Sequence, residues 1–205
     1  MTEIGLAFMY KGDRRYIQGA DILNTAMEAI QRLYPGVITG LVLTIHRMTG
    51  FNMLLESIPG DTSVGSMDGR VATLVLCHDG VTHSFRLMEG NEAPLGSCEY
   101  DESVVTRNCT LDSCGKLILL ASPSPYTPIE TIVAMTKALH QKLFGPQAGK
   151  WLFCRWSGKS WPMPCSLGGI SVEFRQKLGT KLTFSDVMLR GEMLGSIGFS
   201  ARSDQ

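Results

Sequence analysis

The chain has 205 residues, of which 44% are hydrophobic and 19% are charged, and its nineteen basic and nineteen acidic residues cancel. This composition excludes a largely disordered chain and argues against electrostatic steering towards nucleic acid or an anionic membrane. The N-terminus lacks the basic and apolar regions of a signal peptide, and no apolar run approaches the thickness of a bilayer. We therefore expect a cytoplasmic protein that binds neither nucleic acid nor membrane.

The first half of the chain is predicted to begin with a strand, a helix and a second strand. Apolar runs place the strands at residues 4–10 and 41–50. Between them, residues 22–34 carry apolar side chains at spacings of three and four, which is typical of an amphipathic helix. Asp21 is the expected N-cap of this helix.

A β-hairpin is predicted next, because two apolar-rich strands at 71–78 and 81–88 flank the turn sequence Asp79-Gly80. A two-residue turn fixes the register, so His78 faces Val81 and Leu76 faces His83. His78 and His83 then share one face of the sheet. Residues 89–113 are expected to form an irregular connection.

The second half is predicted to repeat the order strand, helix, strand at residues 117–122, 132–144 and 151–158. Its helix has a well-marked start, because Thr127, Pro128 and Glu130 supply an N-cap, a first-turn proline and a capping-box glutamate. Further strands are expected between residues 169 and 201, where apolar and polar side chains alternate.

The two halves look like copies of one unit. Each helix ends in leucine, an aromatic residue and a Pro/Gly pair, and each following strand ends in Arg-x-[Thr/Ser]-Gly. The sequence therefore predicts an α+β fold with pseudo-duplicated strand-helix-strand units, further antiparallel strands, and helices packed on antiparallel sheet. Residues 1–115 would form the first half and residues 116–205 the second, packed together as one structural unit.

Motifs for common cofactors, metals and nucleophiles are missing. There is no glycine-rich phosphate loop, no H-E-x-x-H and no G-x-S-x-G, so we expect no cofactor and no metal. Two metal alternatives stay open: one through His78 and His83, and one through Cys98, Cys109 and Cys114, whose spacing matches no known zinc pattern. Reduced, mostly buried thiols are the expected state.

Two arginines and three histidines are candidates for binding a ligand. Arg47 and Arg155 occupy equivalent positions in the predicted repeat, where a guanidinium would hold a carboxylate or phosphate. Each arginine would equally well fix a loop carbonyl or an internal ion pair. His46, His78 or His83 would supply an acid or base.

The segment 151–164 contains all three tryptophans and is the candidate protein-contact site. Tryptophan is frequent in interface hot spots. Trp156 and Trp161 are expected to reach a loop or the surface, with core packing as the alternative.

Our leading interpretation is a non-catalytic cytosolic protein-binding module, such as an inhibitor, an immunity-type protein or an adaptor, which masks a partner protein. The alternative is a small enzyme that binds an anionic small molecule between the two halves through Arg47 and Arg155. A third alternative is a self-assembling homo-oligomer.

Overall fold

The computed structural model describes residues 3–58, 69–145, 150–164 and 168–202. The chain divides into two units, Met1–Tyr100 and Asp101–Gln205, whereas the sequence placed the division after residue 115. In both units antiparallel strands make up most of the regular structure and helices are few. At this level the predicted α+β class is confirmed.

The described part of the first unit contains a five-stranded antiparallel sheet, one long helix and a pair of two-residue strands. The sheet has the order β1-β4-β6-β5-β3, and the short strands β2 and β7 pair with each other in parallel. In chain order the elements are β1 Glu3–Leu6, β2 Tyr10–Lys11, α1 Gly19–Leu33, β3 Ile38–Ile45, β4 Met53–Ile58, β5 Arg70–His78, β6 Val81–Glu89 and β7 Ser97–Cys98.

Helix α1 confirms the predicted amphipathic pattern but begins earlier than expected. Its buried side chains are Ala20, Ile22, Leu23, Ala26, Met27, Ala29 and Ile30. Gln18 is the N-cap, so the prediction that Asp21 caps the helix is wrong. Asp21 lies instead in the first turn, where its carboxylate accepts a hydrogen bond from Lys11 Nζ at 2.5 Å. An acidic side chain is favourable there because the helix N-terminus is the positive end of the dipole.

The predicted hairpin is confirmed in detail. His78 pairs with Val81 and Leu76 pairs with His83. Asp79 and Gly80 both have positive φ angles, 49° and 77°, as expected for the favoured two-residue hairpin turn. The strand β4 was not predicted; it pairs with β6 and with β1.

The described part of the second unit contains a six-stranded antiparallel sheet with the order β10-β13-β12-β11-β9-β8. Its elements are α2 Ser103–Thr106, β8 Cys109–Leu111, β9 Leu117–Leu120, α3 Pro128–Phe144, β10 Lys150–Trp161, β11 Ile170–Leu178, β12 Leu182–Leu189 and β13 Glu192–Arg202. Residues 89–113 were expected to be irregular; they contain β7, α2 and β8 instead. Pro146 and Cys165, which the sequence patterns included, lie outside the described residues.

The start of α3 confirms the predicted capping box. Thr127 is the N-cap, Pro128 is the first helical residue, and the Glu130 carboxylate accepts hydrogen bonds from the backbone N–H and the hydroxyl of Thr127. Among the described helices, none is both long and apolar enough to cross a membrane.

Candidate functional site

A groove of about 550 Å³ lies in the first unit where β1 and β6 end and β4 begins. Its volume lies within the range of small-molecule sites. Ten residues line it: Gly5, Leu6, Ala7, Asn52, Met53, Leu54, Glu89, Gly90, Asn91 and Glu92. We call it the Glu89 groove.

Asn52 connects the three chain segments that form the groove. Its side-chain Oδ1 accepts a hydrogen bond from Phe8 N at 3.0 Å. Its backbone carbonyl accepts from Gly90 N, and its own N–H donates to the carbonyl of Glu92, both at 2.8 Å. A Cβ at position 90 would lie 2.9 Å from Asn52 O, so the close approach of these segments requires glycine there. The groove is therefore framed by backbone hydrogen bonds.

The carboxylate of Glu89 is the most strongly held charged group in the groove. Arg47 Nη1 donates to Glu89 Oε2 at 3.0 Å, and the Thr49 hydroxyl is also hydrogen-bonded to the carboxylate. Partial burial of Glu89 alone would raise its pKa, but the hydrogen bonds from Thr49 and Arg47 and the charge of Arg47 together lower the pKa below its ordinary value. Glu89 is therefore ionised at neutral pH.

The guanidinium of Arg47 also holds the chain near the start of β5. Its Nε donates to the carbonyl of Arg70 at 3.3 Å, and its Nη2 donates to the carbonyl of Gly69 at 3.2 Å. Arg47 thus holds backbone carbonyls and forms an internal ion pair, as the second alternative for this arginine predicted. It contacts the groove through Glu89. Its role as a direct ligand clamp stays a prediction.

Arg155 does not occupy the position in its strand that Arg47 occupies in the first unit. Arg47 follows the end of β3, whereas Arg155 lies inside β10, next to an irregularity in the pairing with β13. The shared Arg-x-[Thr/Ser]-Gly pattern therefore does not mark equivalent strand ends. The reason is that β10 continues to Trp161, beyond the glycine expected to end it.

The three candidate histidines lie at two places in the first unit. His46 is exposed and its Nε2 lies 3.2 Å from Thr73 Oγ1. Partial burial and then the charge of Arg70 lower the pKa of His46, so its imidazole is neutral at pH 7. His78 lies on β5 and His83 on β6, the two strands of the hairpin. Their ring centroids are 5.6 and 4.4 Å from the ring of Tyr34.

The structure provides little support for the metal alternatives. His78 Nε2 donates to the carbonyl of Pro35 at 3.0 Å, a contact that occupies one ring nitrogen. In the part of the chain that the structure describes, no three His, Cys, Asp or Glu side chains come close enough to hold a metal ion. Burial raises the pKa of the Cys109 thiol to about 11, so this cysteine is not a thiolate at neutral pH.

Trp156 is buried, whereas the sequence interpretation expected it at a loop or the surface. Its side chain is 1% exposed, and its indole ring lies against Gly158 and Gly195, where an added Cβ would collide with Nε1 at position 158 and lie 3.1 Å from Cζ2 at position 195. Trp161 is half-buried at the end of β10. The pairing of β10 with β13 shifts between Phe153 and Arg155, and this irregularity interrupts the alternation of the strand, so Trp156 is buried like Trp151 and Phe153.

His140 is a buried histidine that the sequence analysis missed. It is 1% exposed and is surrounded by the rings of Phe144, Trp151 and Phe199, at centroid distances of 5.7, 4.6 and 5.2 Å. Among the described residues, neither ring nitrogen of His140 finds a hydrogen-bond partner, and burial lowers the pKa of His140 to about 4. Its spacing of seven from the apolar Val133 places both residues on one helical face, a signal that was available in the sequence.

Several solved structures resemble this chain. No family model and no curated protein sequence matches the chain. The bifunctional dehydratase-cyclase domain from ambruticin biosynthesis matches with a TM-score of 0.52 at 15% identity, over 93% of this chain and 83% of that one. The fold is hotdog-like. At this identity the match shows the fold alone.

Two further solved structures resemble the chain at lower scores. A tesB protein of Mycobacterium avium subspecies paratuberculosis has a TM-score of 0.48 and 12% identity, covering 94% of this chain and 89% of its own. The dehydratase domain of PpsC from Mycobacterium tuberculosis has a TM-score of 0.43 and 11% identity, covering 97% and 92%.

The interpretation as a non-catalytic protein-binding module is contradicted by the match to the ambruticin domain, because the solved domain that shares this fold is described as a dehydratase-cyclase. That interpretation rested on missing motifs. A site assembled from scattered strand ends, as the Glu89 groove is, has no compact sequence motif and escapes such a search.

Proposed function

We propose that this protein is an enzyme that acts on a small molecule, and that the molecule binds in the Glu89 groove. The observation that carries the proposal is the ionised carboxylate of Glu89, held by Arg47 and Thr49 in the wall of a ligand-sized groove. Held charged groups in concave sites are typical of active sites. The fold shared with a catalytic domain supports an enzyme over a masking protein.

The proposed role of Glu89 is that of a general base. An ionised carboxylate takes a proton from a bound substrate, and a base held in position makes that transfer efficient. Arg47 and Thr49 would orient the carboxylate, at the cost of some basicity, because both contacts favour the ionised form. The proposed reaction class is acid–base chemistry such as removal of water, the activity named for the ambruticin dehydratase-cyclase domain.

Replacing Glu89 with glutamine tests this proposal, since it preserves the shape of the side chain and removes the base. The wild-type chain would be incubated with a panel of hydroxyacyl compounds, with and without a terminal amino group, and loss of one water would be followed by mass spectrometry. We expect Glu89→Gln to lower kcat by roughly 10²–10⁴-fold, the usual contribution of a general base.

The matched control is Glu28→Gln, because Glu28 is an exposed glutamate on α1 that forms a salt bridge with Arg32 four residues along. It is expected to retain wild-type turnover. Equal turnover of Glu89→Gln and wild type would reject Glu89 as the general base. No loss of water by the wild type with any member of the panel would exclude the dehydration class.

We also propose that the two units arose by duplication of one strand-helix-strand unit. Support comes from the shared order β1, α1, β3 and β9, α3, β10, and from an acidic residue in the first turn of each helix. Superposition of each unit on the other is the direct test. The cytoplasmic location expected from the sequence stays a prediction, and self-assembly stays an untested alternative.

A further inference from the structure

Carboxylates and amides supply all the polar side chains that line the Glu89 groove. Glu89 and Glu92 are the carboxylates, and Asn52 and Asn91 are the amides. The other lining residues are apolar or glycine, and none of the ten is lysine, arginine or histidine. The side chains of the groove therefore bring negative charge and hydrogen-bond acceptors, with no cation among them.

The nearest guanidinium neutralises this charge only in part. Arg47 pairs with Glu89, while its remaining hydrogen bonds go to backbone carbonyls at 69 and 70. Glu92 contributes a second carboxylate at the exposed side of the groove. The backbone of Glu92 is held at the groove, because Asn52 N donates to the Glu92 carbonyl.

The remaining surface of the groove is apolar. Leu6 and Met53 are buried beneath it, and Ala7 and Leu54 complete the wall. Such a wall favours a hydrocarbon body, and burying that body adds to affinity without selecting for charge. The preference for a ligand of one charge over another must then come from the two carboxylates.

We propose that the Glu89 groove takes a cationic amine with a short apolar body, whose ammonium group faces Glu89 and Glu92. This inference rests on the proposed function, since it names the substrate class of the same groove. An ammonium group donates up to three hydrogen bonds and matches carboxylate and amide oxygens. An anionic ligand, which the sequence suggested at Arg47, would meet two like charges in the groove and is expected to bind there more weakly than an amine.

Three ligands of equal length separate the effect of charge from that of the hydrocarbon: hexylamine, hexan-1-ol and hexanoate. Titration calorimetry with the full chain is expected to give the tightest Kd for hexylamine and the weakest for hexanoate. Charge-assisted contacts make the amine bind roughly tenfold or more tightly than the alcohol. Its Kd should rise with added salt, because the charges are partly exposed.

Glu92→Gln is the decisive variant, since it removes one carboxylate without touching the Arg47 contact. It is expected to weaken hexylamine binding by roughly tenfold and to leave hexan-1-ol binding unchanged. Glu28→Gln is the control and should bind all three ligands as the wild type does. Unchanged amine binding by Glu92→Gln, or hexanoate binding as tight as hexylamine, would overturn the inference.

The two proposals fail separately. Amine binding that depends on Glu92, together with full turnover by Glu89→Gln, would support the amine site and reject Glu89 as the base. Turnover that depends on Glu89, without amine binding by the wild type, would reject the amine and leave the enzyme proposal standing.

Discussion

Replacing Trp156 with alanine is expected to lower the free energy of unfolding by about 3–5 kcal/mol, the usual range for truncating a buried tryptophan. The side chain is 1% exposed, and Gly158 and Gly195 leave the space that its ring fills. Removing the ring leaves a void that the extended backbone of β10 and β13 closes only in part. Urea unfolding of the variant and the wild type measures the difference.

Trp161→Ala is the matched control, because Trp161 is half-buried at the end of the same strand. It is expected to cost about 1 kcal/mol, as is usual for less buried positions. A loss for Trp156→Ala no larger than that for Trp161→Ala would show that Trp156 reaches the surface, as the sequence interpretation held.

Acidification from pH 7 to pH 4 is expected to cost the fold about 3 kcal/mol through His140 alone. Burial lowers the pKa of His140 from 6.5 to about 4, so the folded state binds its proton less readily than the unfolded state. The contribution is fully present above pH 6.5 and is lost as the pH falls towards 4. Each pH unit in this window costs about 1.36 kcal/mol.

His140→Leu isolates this effect from the carboxylates that titrate in the same range. Leucine removes two buried nitrogens that have no partner in the described part of the chain, so the variant is expected to be at least as stable as the wild type at pH 7. Its free energy of unfolding should fall between pH 7 and pH 4 by about 3 kcal/mol less than that of the wild type. If the stability of His140→Leu and of the wild type fell equally between pH 7 and pH 4, the pKa of His140 would be the same in the folded and the unfolded chain.

The parts of the fold that were predicted correctly depend on local signals. The Asp79-Gly80 turn fixed both strands and their register, because only a few two-residue turns close a hairpin. The box formed by Thr127 and Glu130 fixed the start of α3 for a similar reason. In both cases the residues that decide the structure are adjacent in sequence.

The errors depend on distant contacts. The strand pairing shifts near Arg155, and this shift turns the side chain of Trp156 to the face of the sheet opposite to that expected from strict alternation. The sequence of a single strand does not indicate such a shift. Strand β4 was overlooked because it reads as a strand only once β1 and β6 are in place. Asp21 was assigned as a cap because its position beside the helix start favours that role. Its salt-bridge partner, Lys11, lies ten residues away in the sequence and gave no local signal.

The candidate site was predictable only in part. Arg47 was singled out, but its partner Glu89 lies 42 positions away and was not. The groove residues come from three strand ends that are brought together by side-chain and backbone hydrogen bonds of Asn52. No spacing rule links residues 5, 52 and 90, so the groove emerges only from the register of the sheet.

The tight turn at Asp79 and Gly80 also makes the first unit suitable for grafting. Both residues are exposed at the tip of the hairpin, and exposed tips tolerate inserted segments. The register of β5 and β6 is also held by the buried pair Leu74 and Phe85, so it does not depend on the turn alone. An epitope or a fluorescent reporter placed between residues 79 and 80 would give a handle on the protein that leaves the strands on either side paired.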